Sequence, residues 1–188
     1  MIDLINQFRH LDYRLYRFFH DATNEIYYLY DLYIFFARFG VVIIALSSIY
    51  LIMKKKVSAL FCAFLAVAYS AMVDLMIMLI WKRPRPFVSH EGEFPTPITE
   101  GLRVDSVSFP SAHTYMAFAV ATSIWLYGHK RLGAALYLVA LCVAVSRIGA
   151  GLHYPSDIIA GALLGIFSGY MAYFTIQKNQ HIWREDGD

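Results

Sequence analysis

Apolar side chains fill four stretches of this chain almost without interruption, at roughly 33–53, 57–81, 112–128 and 132–148, and a fifth runs from about 156 to 177. A helix needs about 20 mostly apolar residues to cross the hydrocarbon of a bilayer, so the pattern predicts five spans. The first is blurred upstream, where apolar and aromatic residues continue back to Ile26 and only Asp31 and Arg38 interrupt them. In the fifth, Ala160, Gly161, Gly165 and Gly169 recur at helical spacing, which suits close helix–helix approach within a membrane. Residues 3–20 follow another rule. Leu4, Phe8, Leu11, Leu15 and Phe18/Phe19 repeat every three or four residues, with Arg9, Arg14, Arg17 and acids between them. That is an amphipathic helix, lying on the membrane surface or packed against the bundle.

Composition removes the main competing picture. The chain has 188 residues, of which 59% are hydrophobic and 16% charged, with a mean hydropathy of +0.49. A soluble chain averages about a quarter charged residues, and five buried helices here would have almost no polar faces to show to water. The expectation is a single domain over 1–188: an all-α, polytopic membrane helix bundle at 33–177 with an amphipathic helix at 3–20. A net charge of +2, without a basic stripe carrying interleaved aromatics, argues against nucleic acid. Cys62 and Cys142 lie inside apolar runs and read as small hydrophobes, not as a disulfide. The first 22 residues mix acids and bases with apolar residues and do not resemble a secretory signal. No obligatory protein partner is indicated; membrane lipids are the expected surroundings.

Loop charge suggests an orientation. Lys54-Lys55-Lys56 and His129-Lys130-Arg131 are short basic connections on the same face of a five-span bundle, and the positive-inside tendency places them in the cytoplasm. The long connection 82–110 then faces outward, although Lys82, Arg83, Arg85 and Arg103 make it basic too. It is long for a plain connector, so part of it is expected to cap the face it covers.

Three polar clusters interrupt the apolar pattern. Lys82-Arg83-Pro84-Arg85-Pro86 follows the second span, and Ser108-Phe109-Pro110-Ser111-Ala112-His113 opens the third. Ser146-Arg147, five further residues, His153, three more and Asp157 bridge the fourth and fifth. Alternating span directions bring all three to one face of the membrane. Arginines offer planar donor forks matched to phosphate oxygens. Ser111 and the backbone N–H groups around Ala112, at a helix N-terminus, favour an anion as well. Asp157, four residues after His153, could reach back to fix the imidazole tautomer and leave the other nitrogen free to attack phosphorus. His113 would then act as general acid, and the arginines would supply the charge stabilisation on which phosphoryl transfer relies. Two blander readings compete: boundary charges that merely anchor the spans, and a metal site using His153 and Asp157. The metal reading lacks a third ligand besides His113, and nearby arginines would repel a cation.

These clusters resemble the three signature motifs of the type 2 phosphatidic acid phosphatase superfamily: Lys-x6-Arg-Pro, Pro-Ser-x-His and Ser-Arg-x5-His-x3-Asp. Pro110, Ser111 and His113 meet the second, and Ser146, Arg147, His153 and Asp157 meet the third, over a region of about 60–170. The first is only half met, because Arg85-Pro86 fits while Met78 stands where the pattern has lysine. The resemblance implies that His153 is the nucleophile, Asp157 its partner and His113 the acid. Arg85, Arg147 and Ser111 would bind phosphate, with Lys82 or Arg83 replacing the missing lysine, and no metal or cofactor is implied. RPRPF, SFPSAHT and GLHYPSDIIAG are similar to the bacterial undecaprenyl-diphosphatase branch, although Pro-Ser-Ala-His replaces that branch's usual Pro-Ser-Asp-His. The implied activity is removal of the terminal phosphate of a polyprenyl diphosphate at the outer face of the bacterial cytoplasmic membrane. Phosphatidylglycerophosphate, phosphatidic acid and lipid A phosphates are alternative substrates, and a non-catalytic lipid-phosphate binder or transporter is the alternative of another class. Asp74, a charge inside the second span, is expected to pair within the bundle; Glu91, Glu93 and Glu100 are expected to be solvated or to hold the outward loop.

Overall fold

A computed structural model describes residues 2–90 and 107–184, and its helices follow the apolar pattern closely. They are α1 (Ile2–Glu25), α2 (Tyr27–Met53), α3 (Val57–Ile80), α4 (Pro86–Ser89), α5 (Ala112–Leu126), α6 (Lys130–Gly149) and α7 (Pro155–Arg184). Among the described residues, four segments have the length and composition to cross a membrane: Tyr28–Met53, Val57–Ile80, Lys130–Gly149 and Pro155–Asn179. Their outer faces are apolar; Leu79 and Ile80 at the end of α3 are 75% and 88% exposed, as suits side chains solvated by lipid.

The third predicted span, 112–128, is α5, which starts where expected and ends two residues earlier. It is about 22 Å long over its 15 residues, and it is the buried centre of the bundle, packed by α3, α6 and α7. Its polar groups are satisfied locally: Thr122 Oγ1 donates to the Phe118 carbonyl at 2.7 Å and Ser123 Oγ to that of Ala119 at 2.8 Å. The small residues expected to mediate close packing do so here. A methyl group on Gly161 would lie 2.9 Å from the Ser111 carbonyl and one on Gly169 2.6 Å from Thr122 Cβ, while at Gly165 it would collide with the Tyr115 carbonyl. α7 thus rests backbone-on-backbone against α5, and this contact fixes the level of Ser111 relative to the start of α7. Asp74 in α3 is paired as expected, accepting from the Tyr115 hydroxyl of α5 at 3.1 Å.

α1 begins and ends beyond the predicted 3–20 and is both amphipathic and packed. Phe8, Leu11, Leu15 and Phe18 are exposed, whereas Asp12, Tyr16 and His20, one helical turn apart, are buried against the bundle. Phe8, Leu11, Leu15 and Phe18 therefore point away from the protein, and the face turned inward mixes Asp12 and His20 with the aromatic rings of Tyr13, Tyr16 and Phe19. The short α4 stands where a cap was expected; Glu91, Glu93 and Glu100 lie outside the described residues.

Candidate active site

Three connections converge at one end of the bundle, where α3 and α6 finish and α5 and α7 begin. The strand-like segments leaving α3 and entering α5 pair with each other through a bridge between Pro84 and Val107 and a 2.8 Å hydrogen bond from Ser108 N to the Arg83 carbonyl. Ser108 is thereby carried, fully buried, toward the turn between α6 and α7. That turn is folded tightly: Leu152 N and His153 N both donate to the Arg147 carbonyl, at 3.0 and 3.2 Å. Gly151 permits it with a φ of +75°, a conformation that side chains disfavour. At the first turn of α7, Asp157 also accepts, through its backbone carbonyl, the Ser111 N–H at 3.2 Å, which joins two of the clusters directly.

His153 is 1% exposed, and its two ring nitrogens have partners that force the same tautomer. Nδ1 lies 2.8 Å from the Ser108 carbonyl, which can only accept, so Nδ1 carries the proton. Nε2 lies 3.2 Å from Arg85 Nη1, which can only donate, so Nε2 presents its lone pair. Burial pushes the imidazole down to about 4, the Arg85 and Arg147 charges press the same way, and the Asp157 carboxylate opposes them. At neutral pH the ring is uncharged and nucleophilic at Nε2.

Asp157 departs from its expected role. Its Oδ2 is 3.6 Å from Nδ1, too far for a hydrogen bond, and it accepts instead from Ser108 Oγ at 2.6 Å and Tyr154 N at 2.9 Å. The direct orienting acceptor is the Ser108 carbonyl, with Asp157 holding Ser108 in place. Arg83, expected among the phosphate ligands, is likewise committed elsewhere. Its Nη1 binds Asp157 Oδ1 and Ser156 Oγ, each at 2.7 Å, and its Nη2 binds Asp12 Oδ2 at 2.6 Å. A guanidinium engaged by two carboxylates is a strut, not a free anion ligand.

Arg85 and Arg147 are different. Arg147 is 6% exposed and donates from Nη1 to the Ala37 carbonyl at 3.1 Å; Arg85 donates to the Leu152 carbonyl at 3.3 Å and to His153. Among the described residues the Nε atoms of both are buried without a partner. One buried and one half-buried cation, each with a spare buried donor, next to a neutral imidazole, make a site for an anion. His113, in the first turn of α5, lies within electrostatic reach of Arg85, Arg147 and His153. Among the described residues no cluster of three or more acidic, histidine or cysteine side chains is arranged to hold a metal ion.

A model of the PAP2 superfamily matches residues 59–181. The chain belongs to that superfamily, the type 2 phosphatidic acid phosphatases. It is 44% identical over 71 residues to the bacitracin transport permease protein BcrC of Bacillus licheniformis, a stretch covering 38% of this chain and about a third (34%) of that relative's length. A longer alignment, 24% identical over 167 residues, covers 87% of this chain and 83% of the undecaprenyl-diphosphatase BcrC of Bacillus subtilis. The crystal structure of Aquifex aeolicus LpxE superposes with a TM-score of 0.68 at 28% identity, over 87% of this chain and 94% of that one.

Within this superfamily fold, the structure brings Arg85, Ser111, His113, Arg147, His153 and Asp157 to one end of the bundle. Ser111 is fully buried at the N-cap of α5, where its hydroxyl accepts from Thr114 Oγ1 at 3.0 Å, and Ala112 follows as the first helical residue. Lys82 is exposed, unlike the others. Three residues at the site were given no role from sequence: Ser108, quoted only as part of its cluster, Ser156 and Asp12. The one signal for Asp12 is its spacing with Tyr16 and His20, which marks a stripe opposite the apolar one. α2 and α6 also leave an apolar groove of about 270 Å³, walled by Leu29, Leu32, Tyr33, Phe36, Leu141 and Val145. Ser146, adjacent to Arg147, lies at its edge.

Proposed function

We propose that this protein is a membrane phosphatase that removes the terminal phosphate of a polyprenyl diphosphate, undecaprenyl diphosphate being the substrate suggested by the long alignment with a named undecaprenyl-diphosphatase. The observation that carries the reading is the tautomer of His153, whose Nε2 lone pair is presented beside Arg85. In the proposed reaction Nε2 attacks the terminal phosphorus as the bond to the bridging oxygen breaks. His113, which the negative charge of the bound phosphate keeps protonated, donates that proton to the bridging oxygen, and the monophosphate lipid departs. Water then attacks the phosphohistidine, His113 takes its proton, and inorganic phosphate leaves. Arg85, Arg147 and the N–H groups at the start of α5 stabilise charge on the phosphoryl oxygens. No metal enters this scheme.

The groove between α2 and α6 supports a lipid substrate, since its lining is apolar and includes Ser146, the neighbour of Arg147 in sequence. Purified protein in detergent, assayed for phosphate release from undecaprenyl diphosphate, phosphatidylglycerophosphate, phosphatidic acid and lipid A phosphates, tests the substrate. Highest kcat/KM on the polyprenyl diphosphate, unchanged by EDTA, is the expected result. Preference for another lipid overturns the substrate, loss of activity with EDTA overturns the metal-free route, and binding without release overturns catalysis. The site is proposed to face the extracytoplasmic side. A charged, membrane-impermeant thiol reagent applied to intact cells should label a Lys82→Cys variant and spare Lys55→Cys; the reverse pattern inverts the orientation.

A further inference from the structure

The N-terminal helix contributes to the site from outside the stretch, 59–181, that matches the superfamily. Asp12 sits midway along α1 and is only 4% exposed. A carboxylate so buried is costly unless its oxygens are satisfied. Here three donors reach it: Arg83 Nη2 at 2.6 Å, Ser156 Oγ at 2.6 Å and Ser156 N at 3.0 Å. The last of these is one of the otherwise unpaired N–H groups at the start of α7, so Asp12 caps that helix from a different element.

The contacts continue inward without a gap. Arg83 shares its single charge between Asp12 and Asp157. Asp157 holds Ser108 by its hydroxyl, and the Ser108 carbonyl holds His153 Nδ1. We infer that Asp12 is a positioning residue for the reaction: through Arg83 and Ser156 it fixes the first turn of α7 and the carboxylate that sets Ser108 against the His153 imidazole. The inference rests on His153 being the nucleophile. Asp12 itself touches neither the imidazole nor the anion-binding arginines.

Two consequences separate positioning from simple docking of α1. Loss of Asp12 leaves Arg85 and Arg147 untouched, so substrate affinity is retained while the chemical step slows; misplacement of a reacting group by about 1 Å costs on the order of a hundredfold. The stack of Tyr13 on His90, with ring centroids 4.4 Å apart, also fastens α1 but lies off this chain of contacts. Asp12→Asn should lower kcat by about ten- to a hundredfold with KM within about twofold of the parent protein. Tyr13→Leu should lower the Tm and leave kcat per folded molecule unchanged. Asp12→Glu, which restores the charge, should recover part of the loss. Wild-type kcat in folded Asp12→Asn overturns the inference, as does an equal loss of kcat in Tyr13→Leu. If Asp12→Asn does not fold, Ser156→Ala decides: it removes one link and no charge, so an about threefold or larger fall in kcat is expected, and an unchanged kcat sinks the idea. His153→Gln is measured alongside. Activity in that variant overturns the nucleophile assignment, whatever Asp12 does.

Discussion

The two halves of the site are built on opposite principles. Around His153 every polar contact is closed: the Ser108 carbonyl holds Nδ1, Asp157 is bound by Ser108, Tyr154 and Arg83, and Arg83 is bound in turn by Asp12. Around Arg85 and Arg147 the contacts are left open, with buried Nε atoms that have no partner among the described residues. The first half resembles the interior of a stable protein, where polar groups are satisfied and geometry is fixed. The second keeps charge out of water without neutralising it, at a cost of several kcal/mol per unpaired ion in general. Binding an anion returns that cost. Rigidity suits the nucleophile proposed at His153, and unsatisfied charge suits the phosphate proposed to bind beside it.

The contrast is broken most severely by His153→Gln, which removes the attacking nitrogen and should reduce kcat by about 10³-fold or more without unfolding the protein. Near-parental turnover in that variant ends the phosphohistidine scheme. Next comes Arg147→Met, on the open half. It should cost about 10²–10³-fold in kcat/KM, as loss of a charge-stabilising donor does elsewhere. Because it also removes a buried cation with an unmatched donor, the Tm should stay level or rise. A large fall in Tm would mean that Arg147 is a closed structural residue after all.

Ser108→Ala probes the closed half more gently. It deletes the hydroxyl on Asp157 but keeps the backbone carbonyl on His153, so kcat should fall by about tenfold. An unchanged kcat in Ser108→Ala would show that the carboxylate does not act through this hydroxyl. Protonation of His153 sharpens the same point. Its pKa is lowered to about 4, so the attacking lone pair is present above that value and lost below it. kcat/KM should therefore stay level on the acid side until pH nears 4 and then fall about tenfold per pH unit; an acid limb centred near the ordinary histidine value contradicts the burial seen here. The smallest effect expected is on the open half: inorganic phosphate at about 100 times its Kd should stabilise the protein by about 2.7 kcal/mol, seen as a raised Tm that Arg147→Met abolishes.

Much of this molecule was legible in its residues because two periodicities are strong. Apolar runs located α2, α3, α5, α6 and α7 within a few residues at most ends, and the Gly161/Gly165/Gly169 spacing announced a close helix contact, which the structure forms with α5. The central, buried position of α5 was not legible. A buried central helix and a lipid-facing span have the same composition, and only packing on three sides separates them. The Ser-Arg-x5-His-x3-Asp spacing identified His153 and Asp157 as neighbours, since four residues make one helical turn. It could not show that the serine carbonyl, and not the carboxylate, lies against Nδ1, because Ser108 is 45 positions away.

Residue order alone therefore determined that this chain is a membrane bundle, that its polar clusters gather at one end, and which residues are chemically able to attack and to bind phosphate. Those are properties of composition and local spacing. Tertiary structure alone decided how the arginines divide their work. Arg83, Arg85 and Arg147 are the same side chain, and what separates strut from ligand is which carboxylates the fold brings within reach. Asp12 and Asp157 claim Arg83 across 71 and 74 positions of sequence, a distance at which no spacing rule holds.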